Sequence, residues 1–510
     1  MDINNHILAV VEPAILPTEI KFDALAEEKG GDNTDKQSKD VGTLEPMLLC
    51  NDILVPRNQI QTFELELSGE VPECTISFED RNGNFSVDAL PRDGDFFTLL
   101  LNSKQQETFK SVHMDFDIME VSTQPMPSRV QGGSTITLEG IAKIPKIFGE
   151  ECQVLDTDTS LAHLEKIARE LELGLATNID ATDDKQARIQ AYETYMDFIK
   201  KIVENAYVSD DSFVKFYIDQ YYYINFVDIN KVFNSKNPKL DDVTKVLASF
   251  AISQLAEKNS DEDNFDSDNI EVPMLLTNHK DLDQLSCFIE EFEVVNNSQQ
   301  ISLAAGNTRN IQLYDNNSEK GERFQEFKIE ALQSEEIPET DMPLKGNPKD
   351  ERYKDQVKYK YMGRQNAGDD GLGNTHKNAI YTKLHNKQNE LEIEKMKLRV
   401  KVPGFNPALY KFCKIPVLMY HYDPIKIEAE KTADRFKEEG GLKERPFDTR
   451  DNSANVPEKD FNQMMDKFLS GYYIIENIDY LFQAEKGIQT RMTLIRREWP
   501  VRSSTLRPEN

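Results

Sequence analysis

Three glutamates in the middle of the chain are the first side chains whose type and spacing could do chemistry. Glu290, Glu291 and Glu293 fall in a stretch with strand character, and neighbouring carboxylates can serve as acid and base in hydrolysis. The residues around them show no pattern that would form a pocket. A solvated strand face is therefore the favoured interpretation, and a hydrolytic site is the alternative.

Two further groups contain metal-ligand side chains at unsuitable spacing. The acidic run at residues 260–268 lacks the central glycine and closing glutamate of an EF-hand loop, so a solvated loop is expected. His376 and His385 are out of register on a predicted helix and are expected to be polar surface residues. Phosphate-loop, dinucleotide, serine-hydrolase and zinc-protease motifs do not occur in the sequence. We assign no catalytic, cofactor-binding or metal-binding residue, and we predict a protein that is not an enzyme and needs no cofactor.

An aromatic cluster is the last group that could recognise a ligand by itself. It consists of Tyr217, Tyr221, Tyr222, Tyr223 and Phe226, whose rings could stack on bases or sugars. In a chain with a net charge of -30, packing in a core or an interface is the favoured interpretation.

Composition limits the classes of partner. The chain has 510 residues, a net charge of -30, 38% hydrophobic residues and a mean hydropathy of -0.60, enough for about two to four domains. Such acidity argues against binding nucleic acid or an anionic membrane through the surface. The negative charge is compatible with a protein that lets DNA pass without binding it. The simpler alternative is that the charge keeps a component of a large assembly soluble.

The cysteines and the apolar segments indicate the compartment. The cysteines are Cys50, Cys74, Cys152, Cys287 and Cys413. They are odd in number, scattered and without a CxxC pair, so reduced thiols are expected. No apolar run approaches the roughly 18 residues of a membrane span, and the N-terminus lacks the basic region of a secretory signal. We predict synthesis in a cytoplasm and no membrane insertion.

The elements that must position these residues are mainly strands. In the last third, residues 396–402 alternate between apolar and basic, residues 415–422 form an apolar run, and residues 471–480 and 488–497 flank a turn at Lys486–Gly487. Alternation of period two predicts half-buried strands, and the turn predicts a hairpin. Its regular alternation places Ile474, Ile478, Met492 and Leu494 on one core face.

A second strand-rich region and two helices precede this hairpin. Residues 47–143 contain several alternating segments, with turns that end at Gly83 and Gly94, and predict a barrel of about five or more strands. A helix capped by Asp158 or Thr159 is expected to stop at Gly174, and a second is expected from about residue 190 to 205. The fold class is therefore α+β and β-dominated, with two small antiparallel barrels, a helix-containing α+β insertion and long polar loops.

The domain boundaries follow these changes in composition. The first half of the chain divides into an N-terminal arm (1–46), the first barrel (47–150), the α+β domain (151–233) and an acidic linker (234–272). The second half divides into a β segment (273–333), a polar linker (334–375), the second barrel (376–500) and a tail (501–510). The second barrel is predicted to begin with a short helix from residue 376 to about 389 and to contain a charged insertion at 427–466.

The order of these elements resembles that of the baseplate central hub proteins of contractile-tailed bacteriophages, the late control protein D type, to which the hub part of type VI secretion spike proteins is related. The resemblance rests on the segments TSLAHLEKIARELELGLATN, YETYMDFIKKIVENAY, SFVKFYIDQYYYINFVDIN, THKNAIYTKLHNKQNELE, LRVKVPGFNPAL and SGYYIIENIDYLFQAEKGIQTRMTLIRRE, in that order. It covers roughly residues 47–230 and 270–500. The polar stretches exceed the family's usual linker lengths, and no needle repeats or lysozyme-like segment follow.

The resemblance implies a structural role in the virion, in the tail baseplate, after synthesis in a host bacterial cytoplasm. It implies a homotrimer whose two barrels per subunit form a pseudo-sixfold ring between a sixfold tail tube and a threefold spike. The implied partners are other copies of the chain, a central spike protein on a separate chain and tail tube proteins, with tape measure and baseplate wedge proteins as further candidates. Neither specific nucleic-acid binding nor membrane insertion is implied.

Two alternatives stay open, as does the meaning of one charge cluster. The chain could be the hub or spike of a secretion or extracellular contractile injection system, or a carbohydrate-active β-protein enzyme. From Lys486 onward, six basic residues face only two acidic ones, Glu498 and Glu509. The basic residues are Lys486, Arg491, Arg496, Arg497, Arg502 and Arg507. This end could contact an anionic partner surface, on another copy or a tail component, or form ion pairs within the chain.

Overall fold

The computed structural model describes residues 7–20, 44–103, 111–125, 133–235, 275–276, 289–296, 308–315, 324–330, 356–362, 396–419 and 466–496, with short gaps inside several ranges, and the single residues 376, 378 and 382. The helices are α1 (Ser160–Glu170), α2 (Tyr195–Glu204) and α3 (Ile229–Phe233). The strands are β1 (Leu8–Val11), β2 (Leu44–Cys50), β3 (Ile53–Val55), β4 (Ile60–Glu66), β5 (Glu73–Asp80), β6 (Phe96–Ser103), β7 (Val112–Pro125), β8 (Ser134–Ala142), β9 (Glu150–Asp158), β10 (Gly174–Thr177), β11 (Gln186–Thr194), β12 (Val214–Ile218), β13 (Tyr223–Asp228), β14 (Leu275–Leu276), β15 (Glu291–Asn296), β16 (Thr308–Asp315), β17 (Phe324–Glu330), β18 (Gln356–Met362), β19 (Met396–Pro403), β20 (Lys414–Leu418), β21 (Gly471–Gln483) and β22 (Gly487–Ile495).

Strands dominate, and the predicted α+β, β-dominated class is confirmed. The largest sheet runs in the order β15-β19-β22-β21-β4-β5-β8-β7-β6-β2-β3, with β14 and β20 attached beside β21. A four-stranded sheet has the order β1-β10-β13-β12, and β9 with β11 and β16 with β17 and β18 form two smaller sheets. The α+β part of the chain therefore has a sheet of its own beside the large one.

The large sheet joins the two regions that the sequence predicts as separate barrels. Antiparallel pairing of β4 with β21, from Thr62 opposite Gln483 to Glu66 opposite Asp479, makes the two sets of strands continuous. Pairings among the described residues leave β15 and β3 at the ends of this path, so closed barrels stay a prediction. The observed unit is one long sheet that passes through both regions.

The ends of the helices differ from the predicted ones in two places. Thr159 caps α1 by accepting a hydrogen bond from the backbone of Ala162, as predicted, but Gly174 is not its stop. The helix ends at Glu170, and Glu172 takes the left-handed conformation with φ 58°. Gly174 instead opens β10, where an added Cβ would lie 2.4 Å from the Tyr223 ring.

Helix α2 is shorter than predicted at its start. It begins at Tyr195, because Thr194 caps it through a hydrogen bond from the Asp197 backbone. Residues 186–194 are not helical; they form β11, which pairs antiparallel with β9. The amphipathic pattern of the segment suits a strand as well as a helix, and pairing with β9 decides between them.

A β-bulge corrects the predicted face of the last hairpin. The register of β21 on β22 shifts between Ile475 and Asn477, so Glu476 is the extra residue. Ile474 therefore lies opposite Ile495, and Ile475 lies opposite Leu494.

The bulge divides the hairpin's apolar side chains between two clusters. Ile475, Ile478 and Leu494 belong to the main core, whereas Ile474 and Ile495 pack with Phe213, Tyr217 and Phe412 in a second cluster. The prediction that Ile474 shares a face with Ile478 is wrong, because regular alternation stops at Glu476.

Several predictions fall on other parts of the chain. Gly83 and Gly94, the last residues of two predicted turns, take the left-handed conformation that the prediction assigns to them, with φ of 74° and 88°. Most of the helix predicted at residues 376–389 and of the acidic stretches lies outside the described residues. Within the predicted arm, β1 pairs with β10, and within the predicted polar linker, β18 pairs with β16. The domain boundaries stay predictions.

Candidate functional site

The three glutamates lie at the edge strand β15 and pair with basic residues on β19. Lys401 Nζ lies 3.9 Å from Glu290 and 3.8 Å from Glu291, and Arg399 Nη1 lies 3.3 Å from Glu293. The carboxylates are partly exposed to solvent. They form an ion-paired strand face, which agrees with the solvated interpretation.

His376 is not the surface residue that the sequence predicts. Its side chain is buried, and Nε2 lies 2.7 Å from the carbonyl oxygen of Asn205 at the end of α2. The backbone N–H of Asn378 donates to Nδ1 at 3.2 Å, and the Asn378 side chain donates to the Asp183 carbonyl. His376 thus fastens its segment to the α+β part, while His385 and the acidic run at 260–268 lie outside the described residues. Within the described part of the chain, no group of His, Cys, Asp and Glu has the arrangement of a metal site.

Three side chains of the aromatic cluster, Tyr217, Tyr222 and Phe226, are buried, as predicted, while Tyr221 and Tyr223 are half-buried. Tyr217 donates its hydroxyl hydrogen to the Lys411 carbonyl at 3.0 Å, and its ring meets that of Phe412 edge-on, with centroids 5.3 Å apart. Tyr222 accepts a hydrogen bond from the Asp115 backbone at 2.9 Å. Phe226 is fully buried. These contacts bind the α+β part to both halves of the large sheet.

The most unusual polar site is a buried junction that we define by the turn at residues 67–70 together with Lys411, Asp479 and Tyr217. The turn joins β4 to β5. Lys411 is buried, and its Nζ donates to the carbonyl oxygens of Leu67, Ser68 and Gly69 at 3.1, 3.0 and 3.0 Å. A buried ammonium group needs such partners, because removing it from water is costly.

Asp479, on β21, holds the same turn through its backbone N–H groups. Its Oδ1 accepts from Leu67 at 3.0 Å and from Ser68 at 3.1 Å. Side chains from the C-terminal third therefore bind both the carbonyl groups and the N–H groups of this turn. The turn and β21 are fixed to each other beyond the β4–β21 pairing.

Burial shifts the pKa values of both charged groups toward their neutral forms. The pKa of Lys411 falls to about 8 because of burial, against the attraction of Glu476, Asp479 and Glu70. The pKa of the Asp479 carboxyl is raised by burial, and the hydrogen bonds from Leu67 and Ser68 partly oppose this rise. These groups stabilise the junction by hydrogen bonding at the cost of desolvation.

The α+β part reaches the junction from a third direction. The Ile218 backbone donates to the Glu70 carbonyl at 2.7 Å, and Lys200 Nζ lies 2.6 Å from the Glu70 carboxylate. Lys414, which is also buried, donates to the carbonyls of Phe233, the last residue of α3, and of Ser235. Three separate stretches of the chain therefore converge around one turn.

Sequence reasoning missed Lys411 and Lys414, although a signal was present. Both lie within an otherwise apolar stretch from Leu409 to Met419. A lysine in such a run needs buried acceptors or an exit to solvent. That anomaly predicts a polar anchor, but its partners, far away in sequence, cannot be read from the pattern.

The basic C-terminal hairpin forms contacts within the chain where it is described. Arg491 Nη1 lies 2.8 Å from Glu64, and Arg496 donates to the Ser470 carbonyl while lying over the Tyr473 ring. Arg491 therefore confirms the interpretation of ion pairs within the chain, whereas the contacts of Arg496 are with a carbonyl and a ring of the same chain. Arg497, Arg502 and Arg507 lie outside the described residues.

The cysteines and helices add two findings. Cys50, Cys74 and Cys413 are buried free thiols, and Cys152 is an exposed one; Cys287 is outside the described residues. Burial raises the pKa of the Cys50 thiol to about 12. No helix in the described part of the chain combines the length and apolarity that a membrane crossing requires.

Comparison of the sequence with family models and with curated proteins gives no match, whereas comparison of structures does. A tail protein from Neisseria meningitidis has 9% identity and a TM-score of 0.47, covering 89% of this chain and 97% of that one. The 43 kDa tail protein of prophage MuSo2 from Shewanella oneidensis has 9% identity and a TM-score of 0.46, with coverages of 89% and 99%. An E. coli component of the type VI secretion system has 10% identity and a TM-score of 0.38, with coverages of 88% and 76%. The chain is similar to these tail and secretion-system proteins.

Proposed function

We propose that the protein is the structural hub of a contractile phage tail baseplate. In this role three copies form a pseudo-sixfold ring that joins the sixfold tail tube to the threefold central spike and lets DNA pass through its lumen. The proposal rests on the family resemblance of the element order and on the continuity of the large sheet through the β4–β21 pairing.

The continuous sheet is the observation that carries the proposal. Each subunit places two sets of antiparallel strands side by side, one from the first part of the chain and one from the last. Three subunits supply six such sets, which matches the step from threefold to sixfold symmetry. The buried junction would keep the two sets at a fixed angle, because Lys411 and Asp479 bind the turn between β4 and β5 to the C-terminal third.

The charge of the chain suits a conduit. A net charge of -30 opposes adhesion of a passing polyanion, because like charges on a lumen wall repel DNA rather than bind it. The proposed partners are other copies of the chain, a central spike protein and tail tube proteins, with tape measure and wedge proteins as further candidates. The proposed location is the baseplate of the virion.

Mass photometry tests the assembly. Purified full-length chain should show a population at three times the mass of 58.6 kDa at micromolar concentration, alone or with the proposed central spike protein added. Monomer alone in both samples would contradict the proposal. Exchange of Lys411 for methionine should lower the trimer fraction if the junction fixes the two sets of strands.

A second candidate is the hub of a secretion or extracellular contractile injection system. It shares the ring and the spike partner and differs in passing protein rather than DNA. Genes for capsid and terminase proteins next to this one would favour the phage role, and their absence together with effector genes would favour the injection system.

The enzymatic alternative has less support from the geometry. A hydrolase needs one carboxyl group that stays protonated in a shielded site, whereas Glu290, Glu291 and Glu293 lie beside Lys401 and Arg399 with partly exposed side chains. Release of sugar from peptidoglycan or surface glycans by purified protein, and its loss in a Glu291→Gln variant, would restore this alternative.

A further inference from the structure

The two-stranded sheet of β9 and β11 has an apolar outer face. Its inner face covers α1 and α2, with Leu155 and Gln190 buried. On the outer face, Val154 lies opposite Ile189, and Cys152 lies opposite Ala191. Val154 is 64% exposed and Ile189 is 67% exposed. Adjacent exposed apolar side chains on paired strands form a patch that favours a partner.

A strained tyrosine extends this face. Tyr192 lies at a β-bulge in β11, between Ala191 and Glu193, and has φ 52°. Residues with a side chain rarely adopt this conformation, and bulges often redirect a side chain toward a binding partner. The Tyr192 side chain is 82% exposed. The bulge therefore presents an aromatic ring to solvent beside the patch.

The face also has a definite charge and two open edges. Three exposed acidic residues of β9 flank Cys152 and Val154 on this face: Glu150 lies on one side, and Asp156 and Asp158 lie on the other. Among the strands that the structure describes, β9 and β11 pair only with each other, so each has an edge whose backbone N–H and C=O groups face away from the other strand and could pair with a further strand. The fitting occupant is an extended segment that carries both apolar and basic side chains.

The C-terminal end of the chain has this composition. Residues 497–507 contain the apolar side chains Trp499, Val501 and Leu506 and the basic side chains Arg497, Arg502 and Arg507, with Glu498 as the acid. We propose that the outer face of β9 and β11 binds residues 497–507 of a second copy of this chain. This inference rests on the proposed ring, in which each copy would bind the C-terminal end of the next, a head-to-tail contact that closes around a symmetry axis.

Fluorescence provides a direct test, because Trp499 is the sole tryptophan of the chain. In the full-length oligomer its emission should lie at short wavelength, as for an indole on an apolar surface. Val154→Asp should shift the emission to longer wavelength, since a buried carboxylate opposes the contact. Met119→Asp is the matched control, because Met119 is an exposed apolar residue on a different sheet, and it should leave the emission unchanged.

Dilution and mass photometry separate the possible outcomes. Dilution to monomer should shift the wild-type emission to the Val154→Asp value. Short-wavelength emission that persists in the monomer would assign the face to the chain's own C-terminal end and overturn binding by a second copy. Trimers whose emission is the same in wild type and Val154→Asp would overturn the inference and leave the proposed function standing. Absence of any oligomer would instead contradict the proposed function.

A synthetic peptide of residues 497–510 gives an independent readout. It should bind the full chain in competition with the intact C-terminal end, and the Ile189→Asp variant should bind it about tenfold more weakly or worse, the loss expected for one buried aliphatic contact. Equal affinity for wild type and variant would overturn the assigned face.

Discussion

Lys411 and Asp479 bind the same turn, Lys411 at its carbonyl groups and Asp479 at its backbone N–H groups. Lys411 donates to the carbonyls of Leu67, Ser68 and Gly69, while Asp479 accepts from the N–H groups of Leu67 and Ser68. Both side chains come from the C-terminal third of the chain, more than 340 residues away. The turn between β4 and β5 is therefore part of the contact that unites the two sets of strands.

Removal of the Lys411 ammonium group should destabilise this contact. Lys411→Met leaves three carbonyls without their donor and removes the positive charge of Lys411 from beside the half-buried Asp479 carboxylate, which should cost about 2–4 kcal/mol of unfolding free energy. Denaturant unfolding measures the change. Lys200→Met is the control, because the Lys200–Glu70 pair is partly exposed, and it should cost less than about 1 kcal/mol. Equal effects of the two variants would contradict the role of Lys411.

The stability gap between wild type and Lys411→Met should depend on pH. The pKa of Lys411 in the folded protein, about 8, lies below its ordinary value of 10.5. Between these values the unfolded chain binds more protons than the folded one, so the contribution of Lys411 to stability rises with pH and is lost as pH falls through 8. The gap should widen by about 3 kcal/mol from below pH 8 to above pH 10.5. If the difference in stability between wild type and Lys411→Met did not change with pH, the Lys411 ammonium group would lie in a more polar environment than the buried junction described here.

The bulge at Glu476 predicts which apolar pairs are coupled. Ile475 and Leu494 are cross-strand partners in the main core, whereas Ile474 belongs to the second cluster. A double-mutant cycle of Ile475→Ala and Leu494→Ala should give a coupling of about 0.5 kcal/mol or more, and a cycle of Ile474→Ala and Leu494→Ala should be additive within about 0.5 kcal/mol. The reverse result would restore the regular alternation that the sequence predicts.

Close packing at Gly174 provides a further test. An added Cβ there would lie 2.4 Å from the Tyr223 ring and 2.9 Å from the Val11 carbonyl oxygen, so Gly174→Ala should destabilise the protein by about 1–3 kcal/mol. Gly69→Ala is the control, with a nearest contact of 3.3 Å, and should cost less. Thermal melting of both variants gives the comparison, and equal melting temperatures would mean that β1 and β13 are not so close to β10.

Local patterns predict much of this fold. The alternation in residues 396–402 places Leu398 and Val400 in the core, as observed, because side chains on a strand alternate between its faces. The cap of α1 at Thr159 follows from hydrogen bonding within one turn. Such features depend on neighbours in sequence and are readable without a structure.

The features that sequence reasoning missed depend on distant partners. Residues 186–194 become a strand because β9 lies beside them, and the register of β21 changes because one residue is inserted at Glu476. The union of the two sets of strands depends on β4 meeting β21, and the junction depends on Lys411 reaching residues 67–69. None of these pairings leaves a mark within a short window of sequence.

Cryo-electron microscopy of the purified full-length chain with its spike partner tests the central claim most directly. The account predicts end-on class averages of a ring with threefold symmetry, in which each subunit contributes two neighbouring sets of strands to a sixfold-like wall around an open lumen. Monomers, or rings in which the strands of β4 and β21 belong to separate, unconnected sheets, would contradict it.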